Sequence, residues 1–278
     1  MAISNFIPTI WSENLYTQLD KQYVAVANCN REFEGDIKSM GSVVKICGVG
    51  NINISSYTKN TDMSSAQQLS DTAKELRIDQ AKYFNFQIDD VDRTQSNPKL
   101  MSAAMKNAAN ALANVADQYI FNLYDRAGET VSVADPSSDN IIGYVIDAVT
   151  RLRMQNVNDP DDIVVEVSPE VAALILKAKI DLASDGGETL ETGCIGRIAG
   201  SKIFVSSNIA QIDGGEHINH LCFVRSKRAI AFAEQLSEIE AYRPEKRFSD
   251  AVKGLHLYGA EVIYPSEFLL LSVPFPKN

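Results

Sequence analysis

The sequence has little of what catalysis, metal binding or membrane insertion requires. Its four cysteines, Cys29, Cys47, Cys194 and Cys222, lie far apart and form no CxxC pair. That spacing gives neither a zinc ribbon nor a redox dithiol, and free thiols buried in a reducing compartment are expected instead. Of the three histidines, His217 and His220 are three residues apart, but no third ligand stands at a usual spacing from them. There is no GxSxG elbow and no P-loop. Gly48-Val49-Gly50 lacks the third glycine of a dinucleotide loop. Gly193, Gly196 and Gly200 read as a tight strand-turn-strand corner rather than a phosphate cradle. The acids of Asp89-Asp90-Val91-Asp92 read as a solvated turn, and Asp185-Gly186-Gly187-Glu188 lacks calcium-loop spacing. No apolar run approaches the roughly 18 residues that span a bilayer; the longest, Phe268 to Pro276, is broken by Pro274. The start of the chain has no charged segment followed by an apolar one, so no signal peptide is expected. There is no basic tract, and a net charge of −10 argues against tight general binding of nucleic acid.

What the chain does have is reach. A short β-branched segment, Ser42 to Cys47, and a longer alternating one, Glu75 to Asp89, bracket a polar stretch from Gly48 to Lys74. Loops beyond about 12–15 residues are uncommon inside compact domains. A long hairpin with a polar tip suits contact with another molecule. Before it, Phe6-Ile7-Pro8-Thr9-Ile10-Trp11 forms an apolar arm that needs a surface to cover it. Ser12 caps a short helix to about Lys21, with Leu15 and Leu19 on one face.

Asn97 as cap and Pro98 as first helical residue open a long helix to about Arg126. At ~1.5 Å per residue it makes a rod of roughly 43 Å. The expected inward face is Leu100, Ala104, Ala108, Ala111, Leu112, Val115, Tyr119 and Leu123. Because that face is rich in alanine, another element can approach it closely. Glu129 to Asp139 reads as a turn-rich link. An α/β block follows. It comprises a helix from Ile141 to Gln155 with Ile142, Val145, Ile146, Val149 and Leu152 inward, and a strand from Asp162 to Val167. A helix capped by Ser168 runs to about Asp181, and strands lie at Lys202–Ser206 and His220–Arg225. The strands Ala229–Ala233, Ser237–Arg243, Leu255–Tyr264 and Phe268–Val273 are expected to join Glu75–Asp89 in one sheet on the long helix.

Several stretches, taken in order, resemble the major capsid proteins of tailed bacteriophages with the Hong Kong 97-type fold. The arm Phe6-Ile7-Pro8-Thr9-Ile10-Trp11-Ser12 is similar to the start of one capsid subfamily. Asn30 to Ile37 and Gly41 to Ile46 match the lead-in to its extended loop; Tyr57-Thr58-Lys59 and Ile78 to Phe84 match the loop tip and return strand. Gly196-Arg197-Ile198-Ala199-Gly200 resembles the glycine turn of the axial domain, and Phe248 to Gly254 with Tyr258-Gly259-Ala260 resembles the C-terminal strands.

The resemblance implies an α+β capsid fold in five parts. These are an N-terminal arm (1–34), an extended hairpin loop (35–90), a peripheral domain with its spine helix (91–136), an α/β axial domain (137–235), and peripheral C-terminal strands (236–278). It implies a coat protein, not an enzyme, that assembles with itself into pentamers and hexamers around double-stranded DNA. It implies a scaffolding protein and a portal as partners, no membrane, no cofactor and no metal, with assembly in the host bacterial cytoplasm. Inter-subunit contacts are expected at Phe6, Ile7 and Trp11 of the arm and at Tyr57, Lys59 and Asp62 of the loop. Two departures stand out: the axial block carries no large insertion, and Tyr264 precedes Pro265 where relatives often have a basic residue. No covalent cross-link through Lys59 is expected. The alternatives are an encapsulin-type nanocompartment shell and a soluble α+β enzyme with a mobile lid.

Overall fold

The computed structural model describes residues 15, 17–34, 41–49, 56, 59–60, 71–89, 100–178, 194–245 and 249–277. In chain order the elements are β1 (Val43–Val49), β2 (Asp71–Arg77), β3 (Gln80–Asp89), α1 (Leu100–Phe121) and β4 (Glu129–Ser132). Next come α2 (Ile141–Met154), β5 (Ile163–Val167), α3 (Pro169–Lys177), β6 (Cys194–Ile198) and β7 (Ser201–Val205). The chain ends with β8 (Gln211–Asp213), β9 (His217–Ser226), β10 (Ile230–Tyr242), β11 (Ser249–Val262) and β12 (Phe268–Pro276).

The long helix forms, but its buried face is Met105, Ala109, Leu112, Ala113, Ala116, Ile120 and Phe121. The expected face was thus about one residue out of phase: Ala111 and Val115 are exposed. Counting apolar residues misled, because Asp117 sits in the middle of the buried side at 1% exposure. After Phe121 the helix tightens into a 3₁₀ turn, Asn122–Arg126, a common way to close a helix end. Gly128 follows because a Cβ there would lie 2.2 Å from the carbonyl oxygen of Pro265.

The larger sheet has the order β4-β12-β9-β5-β7-β6, with β8 on β9. All five residues of β5 are buried, Glu166 included. On α2, Ile142, Val145, Val149 and Leu152 point inward as expected, whereas Ile146 is exposed. The Ser168 hydroxyl accepts from the Val171 amide and caps α3. The corner between β6 and β7 is a two-residue turn with Ala199 at φ +50° and Gly200 at φ +84°, the geometry that twists with its strands. Two expectations change here. Phe268–Pro276 does not join the peripheral strands but runs between β4 and β9 in this sheet. Glu129–Ser132, read as a link, is a strand parallel to β12.

The smaller sheet has the order β10-β11-β3. Ala229–Ala233 and Ser237–Arg243 are one strand, with a bulge between Leu236 and Glu238. The segment Glu75–Asp89 is two strands. Its first part, β2, pairs with β1 from Val43↔Arg77 to Val49↔Asp71, and its second, β3, pairs with β11. The break falls at Ile78 and Asp79. There the Gly41 amide donates to the Ile78 carbonyl (2.9 Å), and the Ile78 amide donates to Ser42 (3.0 Å). Val44, Ile46, Leu76 and Ile78 form a small apolar cluster with Ala231, Ala233 and Leu257. The hairpin therefore grows from a base packed on the smaller sheet.

Gly259 makes this bend possible. A Cβ at that position would sit 2.0 Å from the Arg77 carbonyl oxygen and 3.1 Å from the Ile78 Cα, both rigid backbone atoms. Gly259→Ala should destabilise the subunit by about 1–3 kcal/mol, the usual range for forced overpacking. Amides at the hairpin base, such as those of Gly41 and Ile78, should exchange faster. Denaturant titration and hydrogen exchange on the unassembled subunit measure both, and wild-type values would show that the backbones are not so close.

Candidate functional site

Of the six residues expected to make inter-subunit contacts, Phe6, Ile7, Trp11, Tyr57 and Asp62 lie outside the described residues, as do the Asn97–Pro98 helix start and the loop at 181–191. Lys59 is described: it is exposed in a turn beside Asn60, whose φ is +62°. The most heavily bonded feature of the described residues lies between the arm and the hairpin. It is a short strap, residues 23–31, fastened by three buried carboxylates from three different elements.

The centre of the strap is a 3₁₀ turn, Val26–Asn28. Short helical turns leave amides unpaired at one end and carbonyls at the other. Asp117 of α1 takes the amide end, accepting from Val24, Ala25 and Val26, each at 3.0 Å. Arg225 of β9 takes the carbonyl end, donating to Asn28 (2.8 Å) and Ala25 (3.1 Å). The same guanidinium grips Glu166 of β5 through Nε (3.0 Å) and Nη2 (2.9 Å), and both side chains are fully buried. Asn28 donates to Glu166 and to the Val24 carbonyl. The strap then bridges to β10: Asn30 donates to the Ile230 carbonyl and the Phe232 amide donates back to Asn30, both at 2.9 Å.

Glu234 of β10 is the third carboxylate. It accepts from the Tyr23 hydroxyl, from Arg31 Nη2 (2.7 Å) and from His256 Nε2 (2.7 Å). Burial and the adjacent Glu234 raise the Tyr23 hydroxyl far above its usual value, so it stays a donor. Burial also raises the Glu166 carboxyl, against the pull of Arg225 and Asn28. Burial alone would lower the Arg225 guanidinium, but Glu166 more than offsets it and holds it above the ordinary arginine value.

Little here is suited to chemistry. Burial pushes the Cys29 and Cys222 thiols up to about 12, which removes the thiolate a nucleophile needs. His256 is sealed against Glu234. His220 is buried with Nδ1 2.8 Å from the Ser168 hydroxyl, and burial lowers its pKa. Among the described residues no group of three His, Cys, Asp or Glu could hold a metal ion, and no helix is long and apolar enough to cross a membrane. The strap joins α1, the larger sheet and the smaller sheet. One signal for it stood in the sequence: a charged residue within Ile-Val-Val-Glu-Val must find a buried cation, and Arg225 in Cys-Phe-Val-Arg-Ser is the match.

Solved structures similar to this chain include several from phages. A chain from Mycobacterium phage Che8 is 29% identical, covers 90% of this chain and 91% of its own, and superposes with a TM-score of 0.68. The capsid of Ralstonia phage GP4 gives 0.70 at 11% identity, covering 90% and 87%. The capsid of the cyanophage P-SCSP1u gives 0.64 at 16%, covering 85% and 84%. No protein-family profile matches the chain, and no curated protein does. The chain has the α+β Hong Kong 97-type fold of tailed-phage major capsid proteins, as its motifs implied.

Arg225→Met should cost about 3–5 kcal/mol, since it strands a buried carboxylate. Arg225→Met with Glu166→Leu should recover part of that loss. Recovery stays incomplete because the Asn28 and Ala25 carbonyls each lose the hydrogen bond from Arg225. Denaturant midpoints of the unassembled subunit give the comparison, and strictly additive losses would mean the two side chains are not coupled.

Asp117 gives a pH test. Burial pushes its carboxyl up to about 6 from the ordinary 3.8, outweighing the amides that favour the ionised form. A carboxyl raised by folding favours the folded state when protonated. Its contribution is full below about pH 4 and is lost as pH rises through about 6. Asp117→Asn should flatten that part of the stability–pH curve; an unchanged slope would mean the carboxyl is not raised.

Proposed function

We propose that this chain is the major capsid protein of a tailed phage, a coat subunit that assembles with copies of itself into an icosahedral head around double-stranded DNA. The observation that carries this reading is the near full-length overlay. The Che8 chain and this one each match over about nine-tenths of their length. The other two structures, both phage capsids, point the same way. A nanocompartment shell of the same architecture is the weaker reading, because the 29% identity is to a phage chain.

On this reading, α1 is the spine of a peripheral domain completed by the smaller sheet. The larger sheet with α2 and α3 is the axial domain that gathers into pentamers and hexamers, and β12 belongs to it. The hairpin from β1 and β2 is the extended loop. Its base is fixed on its own subunit, so its tip, including Lys59, is the part that reaches a neighbour. A scaffolding protein and a portal are the further partners, assembly takes place in the host bacterial cytoplasm, and the subunit works without enzymatic activity. The net charge of −10 suits a container whose DNA must slide in and out, since weak screened repulsion avoids sticking.

Removing residues 51–70 and closing β1 to β2 with a tight turn should leave a folded subunit. The described residues of the small apolar cluster lie outside that range. Electron microscopy of both chains should show particles from the parent chain and only background from the shortened one. Normal particles from the shortened chain would overturn the role given to the hairpin.

A further inference from the structure

We infer that a groove between β3 and α1 is a binding site for a medium-chain aliphatic carboxylate, a ligand that the shell reading neither supplies nor requires. β3 forms one wall with Lys82, Tyr83 and Phe84, and α1 forms the other with Ala108, Ala111 and Val115. The volume is about 310 Å³, at the lower end of the range for small-molecule pockets, about 300–1,000 Å³. A stable protein interface takes roughly 20–30 residues a side, far more than this groove offers. Tyr83 is 79% exposed and Val115 36%. A ligand between the walls therefore takes apolar surface out of water that the fold itself leaves wet.

Shape selects the tail. From Ala108 to Val115 the helix rises about 10 Å. A volume of 310 Å³ over that length leaves a cross-section of about 30 Å², the width of one hydrocarbon chain touching both walls. The small side chains of Ala108 and Ala111 keep that width open along the helix. An extended chain of about eight carbons covers the length.

Charge selects the head. Among the described residues that line the groove, Lys82 alone carries a charge. It is exposed, and among the described residues its ammonium pairs with no carboxylate. The strand adds a second set of donors. Residues 81–84 all border the groove, so it runs along the edge of β3, since successive side chains point to opposite faces. That edge pairs with no strand among the described residues; β11 lies on the other side. Amides of a free edge are unpaired donors. A carboxylate satisfies both, neutralising the ammonium and accepting from an amide. A dianionic phosphate head is disfavoured by the net charge of −10, and an amine head is repelled by Lys82.

The test titrates the full chain, as the unassembled subunit, with sodium butanoate, hexanoate, octanoate, decanoate and dodecanoate in a calorimeter. Octanoate should bind saturably at one site per chain. Up to octanoate each added methylene should tighten binding about two- to fourfold, and beyond decanoate the gain should stop. Absence of saturable octanoate binding overturns the inference, and so does an affinity that still climbs at dodecanoate, the mark of unspecific adsorption. Octanol should bind about threefold more weakly than octanoate, the effect of an exposed ion pair. Lys82→Met keeps the apolar stem and removes the charge, so it should erase that difference. A preference for octanoate that survives in Lys82→Met sinks the assignment of the head group. Ala111→Trp fills the groove from an exposed position. It should leave the thermal midpoint unchanged and weaken octanoate at least about tenfold, as expected when a chain of several methylenes loses its walls. Parent-like octanoate binding by Ala111→Trp would place the ligand elsewhere and overturn the inference. None of these outcomes bears on the shell reading, which the particles of the parent chain decide.

Discussion

Arg225 is the charge on which the subunit's arrangement depends. It lies fully buried, and a buried guanidinium is stable only if every donor finds an acceptor. Glu166 supplies the neutralising charge in a bidentate grip, and the carbonyls of Ala25 and Asn28 take further donors. Those carbonyls belong to a segment far away in sequence, so satisfying the charge fixes the strap. Asp117 then completes the opposite end of the same 3₁₀ turn, where unpaired amides favour an anion. A cation at the carbonyl end and an anion at the amide end hold a turn of three residues that no helix propensity could sustain alone. Glu166 and Arg225 come from the larger sheet, Asp117 from α1 and Glu234 from the smaller sheet, so the strap cross-braces three parts of the fold.

This brace separates two kinds of work. Inside it, α1 and both sheets share one apolar core that runs from Leu15 to Val273. Apart from it, the paired strands β1 and β2 pack in a smaller cluster of their own. The hairpin also has its own fulcrum at Ile78, where the backbone hydrogen bonds to Gly41 and Ser42 and the close passage over Gly259 fix its departure angle. On the proposed shell reading, a tip that meets a neighbour gains from a stiff root, because a fixed root reduces the freedom lost on contact. The polar network ties the strap to α1 and to both sheets, while apolar burial supplies the bulk of the stability.

The sequence disclosed element types better than their partners. Leu76, Ile78, Phe84 and Phe86 share one phase, so the segment reads as one strand. Yet Leu76 and Ile78 pack in the small cluster while Phe84 and Phe86 pack against the large core. Periodicity reports that a side is buried, not which neighbour buries it. Phe268–Pro276 shows the same limit: an apolar run reads as a buried strand in either sheet. Glu129–Ser132 gave no signal because it is a mostly exposed edge strand. The helix phase failed at Asp117, where a hydrogen-bonded carboxylate occupies a position that pattern reading assigns to solvent. The motifs at Asn30–Ile37, Gly41–Ile46 and Tyr258–Ala260 identified the fold. Physically they mark the strap, the hairpin root and the close approach at Gly259, the places where backbone geometry leaves least choice of residue.

That coincidence has a consequence for how such a subunit can vary. Core positions tolerate apolar exchange if volume is kept, which is compatible with 11% identity to a capsid that superposes at 0.70. The brace and the hairpin root are constrained differently. A lone change at Arg225 strands a charge, and a lone change at Gly259 drives a Cβ into backbone. Neither can drift by small steps.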